Sequence, residues 1–369
     1  MNIGLDIRSF LSGETGVGIY FKNLLNAMSK LERDDVFYLL SSSFKERFPS
    51  ELIPDFKNRK FKDLRIPVSV LNFLWFRFSF PPLGIFFGEK LDLIHSPNPL
   101  IIPGGKKKII TIHDLSFIDT PKLASSEAIK YFSGKIRKSI TKADSIIAVS
   151  NFTRSRIGDI FGEKVADKVK VIYHGSEIDE IIEEKPLFAI PKNYFLFVGT
   201  VEPRKNLSTL IKGFSLIKEK NVGMKLILAG REGARSSEIL RLISDLKLEK
   251  DIITTGYIKR EELKFLFKNA IALVFPSHYE GFGLPVLEAA SLGIPSLVSD
   301  IEVFREIFKD YPLYFEKDND ESLADKLNLI TSDRNLLNEK KREGLEIAKK
   351  FSWEKCAKDT LSLYDKIGT

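Results

Sequence analysis

Short apolar runs alternate with helix-period stretches along this chain, and they do so in two separate series. The first series places strands at Asn2–Ile7, Val36–Leu40, Leu91–Ile94, Lys108–Ile112, Ser145–Val149 and Val169–Ile172. The second places them at Tyr194–Val198, Lys225–Leu228, Ile252–Thr254, Ile271–Phe275 and Ser296–Val298. Helical patterns such as Tyr20–Leu31, Glu127–Thr141, Leu207–Lys218 and Glu261–Lys268 separate most of them. Strands that alternate with helices form parallel sheets covered on both faces, so the pattern predicts an α/β protein with two such sheets. A charged stretch with two prolines, residues 184–193, reads as the linker between them. The expected domains are residues 1–183 and 194–352. A helix over about 353–369 is expected to pack back on the first domain.

The length of 369 residues suits two domains, each with its own core. Cys356 is the one cysteine, which excludes an intramolecular disulfide and fits a reducing cytoplasm. The opening residues form a strand pattern and not a basic start followed by an apolar run, so no signal peptide is expected. The net charge of +7 permits anionic partners. Nucleic acid is not expected among them, because no zinc-finger, helix-turn-helix or RNA-binding signature is present. The chain lacks glutamine and is rich in Lys and Glu, a bias that points to a thermophilic source.

The chemistry concentrates in the stretch from Pro276 to Glu288, where Glu280 and Glu288 flank a Gly281-Phe282-Gly283 turn. Pro285 follows at the expected start of a helix, where its missing N–H costs nothing. The N–H groups of Gly283 and Leu284 then sit at a helix N-terminus, which favours anions. Carboxylates beside such a terminus suit sugar hydroxyls better than phosphate. Phosphate donors and hydroxyl acceptors in one turn point to a sugar nucleotide. Arg204 and Lys205, in the loop after the strand Tyr194–Val198, supply cations for a diphosphate. Gly13, Gly16 and Gly18 lie between the first strand and the helix expected at Tyr20. Their spacing matches neither the dinucleotide fingerprint nor the P-loop. All four histidines, His95, His113, His174 and His278, closely follow expected strands, where α/β proteins bind ligands. A shared functional edge is the favoured reading, with His174 open to a structural role.

The Glu280-to-Glu288 stretch resembles the paired-glutamate signature of retaining GT-B glycosyltransferases in family four. Val198 to Leu207 resembles that family's phosphate-binding loop, although Thr200 stands where many members carry arginine. Gly16-Val17-Gly18 and His113-Asp114 also match. The resemblance implies two Rossmann-like doubly wound domains facing a central cleft. It implies that Gly16, Arg204, Lys205, Gly283 and Leu284 bind the donor diphosphate, and that Glu288 binds the nucleotide ribose. Glu280 and His113 are the catalytic candidates. Asp114 is expected to orient His113 or touch the acceptor, and Phe282 is a second candidate for contact with sugar or acceptor. No cofactor or metal is expected, because the fixed cations and the helix N-terminus neutralise the leaving group. The implied reaction is retaining hexosyl transfer to a glycan or lipid-linked acceptor in polysaccharide assembly. The mannosyltransferase branch is the most similar, which makes GDP-mannose the leading donor; other hexoses and UDP stay open. A sugar-nucleotide epimerase and a non-catalytic sugar-nucleotide-binding module are the alternatives.

Residues 66–87 are almost wholly apolar or aromatic. Arg77 and Pro81-Pro82 argue against a membrane span. A buried helix is the favoured expectation. A membrane or acceptor surface aided by Lys57, Arg59, Lys60, Lys62 and Arg65 is the alternative, and it carries an expected peripheral location on the inner face of the membrane.

Overall fold

The computed structural model describes residues 1–11, 15–124, 126–219 and 221–368, with backbone only for 126–128. Gly13 lies outside the described residues. Both strand series form parallel sheets. The first holds β1 (Asn2–Asp6), β2 (Val36–Ser42), β3 (Arg59–Leu64), β4 (Leu93–Ser96), β5 (Lys107–Ile112), β6 (Ser145–Ala148) and β7 (Val169–Val171). Their spatial order is β3-β2-β1-β4-β5-β6-β7. The second holds β8 (Tyr194–Val198), β9 (Lys225–Ala229), β10 (Ile252–Gly256), β11 (Ala272–Phe275), β12 (Ser296–Ser299) and β13 (Leu313–Phe315), in the order β10-β9-β8-β11-β12-β13.

Central strands such as β4, β6, β11 and β12 are buried along their whole length, which is why they lack the apolar–polar alternation of a half-solvated strand. In each sheet the order reverses once, between β1 and β4 and between β8 and β11. Those switch points are where doubly wound sheets bind ligands, beyond the carboxyl ends of the strands.

The polar segment Arg59–Leu64 is a strand, and its Arg59, Lys60 and Lys62 side chains are exposed. It hydrogen-bonds only to β2 and forms the edge of its sheet, where charged side chains discourage further pairing. Sequence periodicity misses it because four of its six residues are charged.

The chain divides into two compact units. One comprises Met1–Ile118, Ser126–Gly175 and Trp353–Thr369; the other comprises Asp119–Ser125 and Ser176–Ser352. The boundary therefore falls before Ser176, ahead of the position the sequence suggests. The cause is a strap of contacts onto the Arg260–Asn269 helix. Lys264 Nζ donates to the carbonyls of Asp179 (2.7 Å) and Ile181 (2.6 Å), and Lys268 pairs with Glu183 at 2.8 Å. These bonds attach residues 179–183 to the second unit.

In the first unit the Trp353–Gly368 helix is secured by Asp365, which pairs with Arg33 at 2.5 Å, and by Tyr364, whose hydroxyl lies 2.6 Å from His95 Nδ1. His95 Nε2 meets Thr111 Oγ1 at 2.8 Å, and Tyr20 reaches the same hydroxyl at 3.1 Å. His95 is thus a core residue inside β4, fully buried, and does not belong to a functional edge. Burial drives its pKa down to about 3, so it is neutral at physiological pH.

The expectation of a buried helix within residues 66–87 also needs correction. The helix Val68–Phe78 buries only Leu71 and Trp75. These insert into a cluster with Tyr38, Leu40, Leu83, Leu91, Ile94 and Ile102. Phe76 packs partly buried against the same cluster, whereas Val68, Val70, Phe73 and Phe78 are exposed. Among the described residues, no helix is long and apolar enough to cross a membrane.

Candidate active site

The switch point of the second sheet brings two loops together. β8 and β11 are adjacent, with Phe195 opposite Ala272, so the segments following them leave the same edge. After β8 the chain turns through Gly199 and the single 3-10 turn Pro203–Lys205. Asn206 ends that turn in the left-handed region, at φ 52°. Its side chain holds the geometry: Oδ1 accepts from Ser208 (3.2 Å) and Thr209 (3.1 Å), and Nδ2 donates to Asp318 at 3.1 Å. After β11 the backbone N–H of His278 donates to the Arg204 carbonyl at 2.9 Å. Arg204 Nη1 in turn donates to the Tyr279 carbonyl at 2.9 Å. The two loops are therefore joined before any side chain meets a ligand.

Glu280 lies within this frame. Lys205 Nζ is 2.6 Å from one carboxylate oxygen and Arg204 Nη1 is 3.1 Å from the other. Arg204 also pairs with Glu202 at 2.8 Å. Burial alone pushes the Glu280 carboxyl up; Lys205 and Arg204 more than reverse that and hold it at about 2. Burial pushes the Lys205 ammonium down from the usual lysine value, against the opposing pull of Glu280. An ammonium has three protons to donate and each carboxylate oxygen accepts twice. The pair therefore keeps hydrogen-bonding capacity for a ligand.

Gly283 precedes the Leu284–Ser291 helix at φ 101°. A Cβ there would come within 2.8 Å of the Phe304 ring, so both backbone and packing demand glycine. Pro285 occupies the first turn, and the leading N–H groups lack carbonyl partners within the helix. Glu288, one turn in, is only 3% exposed. Its Oε1 accepts from Arg260 Nη1 at 2.7 Å, and Arg260 Nη2 donates to Glu177 at 2.8 Å. Sequence reasoning missed Arg260 and Glu177. No local pattern marks them, since they lie 28 and 111 positions from Glu288 along the chain. Phe282, expected at a sugar or acceptor, is instead buried edge-on against Phe351 at 5.9 Å. His278 Nδ1 lies 3.3 Å from Asp318.

In the first unit, Gly16 opens the Gly16–Ser29 helix, capped by Thr15, whose side chain accepts from the Gly18 N–H at 3.2 Å. Gly16 and Gly18 thus form the first helical turn, and the helix begins four residues before the expected Tyr20. A Cβ on Gly16 would meet open space. His113 Nε2 donates to the Pro97 carbonyl at 2.9 Å, which leaves Nδ1 as an acceptor. Burial lowers its pKa, so the ring is neutral. Asp114 does not orient it. Asp114 Oδ1 accepts from the Ser116 N–H (3.0 Å) and hydroxyl (2.8 Å). His174 is buried between Tyr20 and Trp353.

Residues 15–180 match the model of glycosyltransferase family 4, and residues 178–348 match that of the group 1 glycosyl transferases. The chain belongs to this glycosyltransferase family. O-antigen chain mannosyltransferase B of Escherichia coli is 29% identical over 282 residues, which is 74% of each chain. O-antigen chain mannosyltransferase RfbU of Salmonella typhimurium is 30% identical over 239 residues, which is 64% of each. Among solved structures, sucrose-phosphate synthase from Thermosynechococcus elongatus superposes with a TM-score of 0.78 at 19% identity, over 99% of this chain and 98% of that one. HepE of Anabaena, solved with UDP and glucose, gives 0.74 at 16% identity, over 99% and 100%. The glycosyltransferase thus has the GT-B fold, and Glu280 and Glu288 occupy its second sheet's switch point.

Proposed function

We propose that this glycosyltransferase moves mannose from GDP-mannose to a glycan or lipid-linked acceptor in polysaccharide assembly, with retention at the anomeric carbon. The observation that carries the reading is the Glu280 carboxylate held between Lys205 and Arg204 beside the Leu284–Ser291 helix N-terminus. The two O-antigen mannosyltransferase relatives support the choice of sugar.

The bond from the sugar C1 to the diphosphate oxygen breaks, and the diphosphate leaves with the electron pair. Lys205, Arg204 and the N–H groups of Gly283 and Leu284 stabilise the developing charge without a metal ion. Gly16, bare of a side chain, lets the helix it opens approach a phosphate. The acceptor hydroxyl attacks from the same face, and its proton passes to the departing phosphate oxygen. Glu280 accepts hydrogen bonds from the sugar hydroxyls, and neutral His113 accepts one through Nδ1. Glu288, braced by Arg260, accepts from the ribose hydroxyls. The single buried thiol of Cys356 supports a cytoplasmic site for the reaction, and the glutamine-free composition supports a thermophilic source.

A thermal-shift screen across nucleoside diphosphates and their sugars tests the donor, since a ligand of the folded state raises the melting temperature. GDP-mannose is expected to give the largest shift and to be consumed with an acceptor glycan. A larger shift and turnover with a UDP-sugar would replace it.

A further inference from the structure

The outward face of the Val68–Phe78 helix and the turn after it leave large apolar side chains in water. Phe73 is 61% exposed, Phe78 59%, Phe80 57% and Ile85 55%, with Val68 and Val70 beside them. Phe73 and Phe78 touch edge to face at 5.7 Å, so the patch is continuous there. The helix is firmly held beneath it: Trp75 is buried, donates to the Pro81 carbonyl at 2.9 Å and lies under the Arg8 guanidinium at 4.6 Å. A contiguous exposed apolar patch on an anchored element marks an interaction site.

The surroundings of the patch identify the partner. Arg77 lies over the Phe78 ring at 5.7 Å, Lys135 lies over the Phe76 and Tyr131 rings at 5.6 and 4.3 Å, and Lys142 Nζ reaches Ser79 at 3.5 Å. Residues 65–88 and 129–142 together hold seven Lys and Arg and no Asp or Glu. That equals the formal net charge of the whole chain, +7, so every other residue taken together is neutral. Of the basic residues singled out earlier in the chain, Arg65 is one of these seven, and three others are paired with acids. Lys57, Arg59 and Lys60 are ion-paired, with Asp34, Asp55 and Glu89. A second copy of the chain would bring the same cationic rim against itself in a two-fold contact. A lipid surface with anionic headgroups satisfies both the apolar side chains and the cations.

We propose that this face seats the glycosyltransferase on an anionic bilayer, with Phe73, Phe78 and Phe80 at the acyl boundary and Arg77, Lys135 and Lys142 on the headgroups. The inference does not depend on the donor, because the face contains none of the residues assigned to it. The test is flotation with vesicles of phosphatidylglycerol and phosphatidylcholine, against phosphatidylcholine alone. The full chain is compared with F73S/F78S and with K135E/K142E, and each variant's melting temperature is checked. Wild type is expected to float with the anionic vesicles. Each double variant is expected to lose at least about tenfold in partitioning at an unchanged melting temperature. Turnover of a soluble acceptor should be unaffected. Equal binding to neutral vesicles, or wild-type binding by F73S/F78S, would overturn the proposal. So would a dimer that F73S/F78S dissociates, in a protein that ignores lipid.

Discussion

Lys205 Nζ and Glu280 Oε1 lie 2.6 Å apart although 75 positions separate them in the chain. They meet because β8 and β11 are neighbours at the switch point of their sheet, so the loops that follow share an edge. Glu202, Arg204, Lys205 and Glu280 form one ion-paired group with no net formal charge. A diphosphate arriving there finds donors already aligned and recruits them from Glu280, at the cost of part of that pairing.

Substitution of the cation is therefore expected to act on the leaving group. Lys205→Ala should weaken nucleoside diphosphate binding and lower kcat by about 10²- to 10³-fold, the range for removing one preorganised electrostatic contact. Arg204→Ala should act in the same direction. Calorimetry and initial rates measure both, and wild-type turnover in the two variants would remove this loop from the site.

The two glutamates should separate by ligand. Glu288→Gln keeps an acceptor for Arg260 and should weaken nucleoside diphosphate and intact donor alike. Glu280→Gln should still bind the bare diphosphate but lose use of the intact donor. Glu288→Ala should in addition cost about 3 kcal/mol of stability, because Arg260 loses a buried partner. Equal loss of the bare diphosphate in both Gln variants would contradict the division of roles.

Acid should expose the Glu280 pairing. Its folded pKa, about 2, lies below the ordinary value of 4.5. The carboxylate thus contributes stability that is fully present above pH 4.5 and is lost as pH falls toward 2. Denaturant titrations of wild type and Glu280→Gln should diverge above this window and converge within it. Parallel profiles would show that the pair has no net effect on folding.

Chelation should leave transfer intact, since Lys205, Arg204 and the Leu284–Ser291 helix N-terminus supply the positive potential for the leaving group. Initial rates with and without EDTA measure this. Loss of activity that a divalent ion restores would contradict the metal-free route.

The sequence by itself determined the α/β class, the two sheets and the turn that carries Glu280, Gly283 and Pro285. Those features follow from short-range constraints: side-chain period, proline's fixed φ and the backbone conformation that only glycine adopts easily. The same local logic missed β3, because an edge strand's charged residues hide its period. It also placed His95 on a functional edge and offered Phe282 for contact with sugar or acceptor, whereas both side chains are buried. Only the tertiary structure decided that Arg260 braces Glu288, that His113 donates to Pro97 while Asp114 accepts from Ser116, and that the Val68–Phe78 helix turns Phe73 and Phe78 outward. A side chain's partner is set by which strands lie side by side and which helix face meets the sheet. Those are contacts between residues far apart in the chain, and no local pattern encodes them.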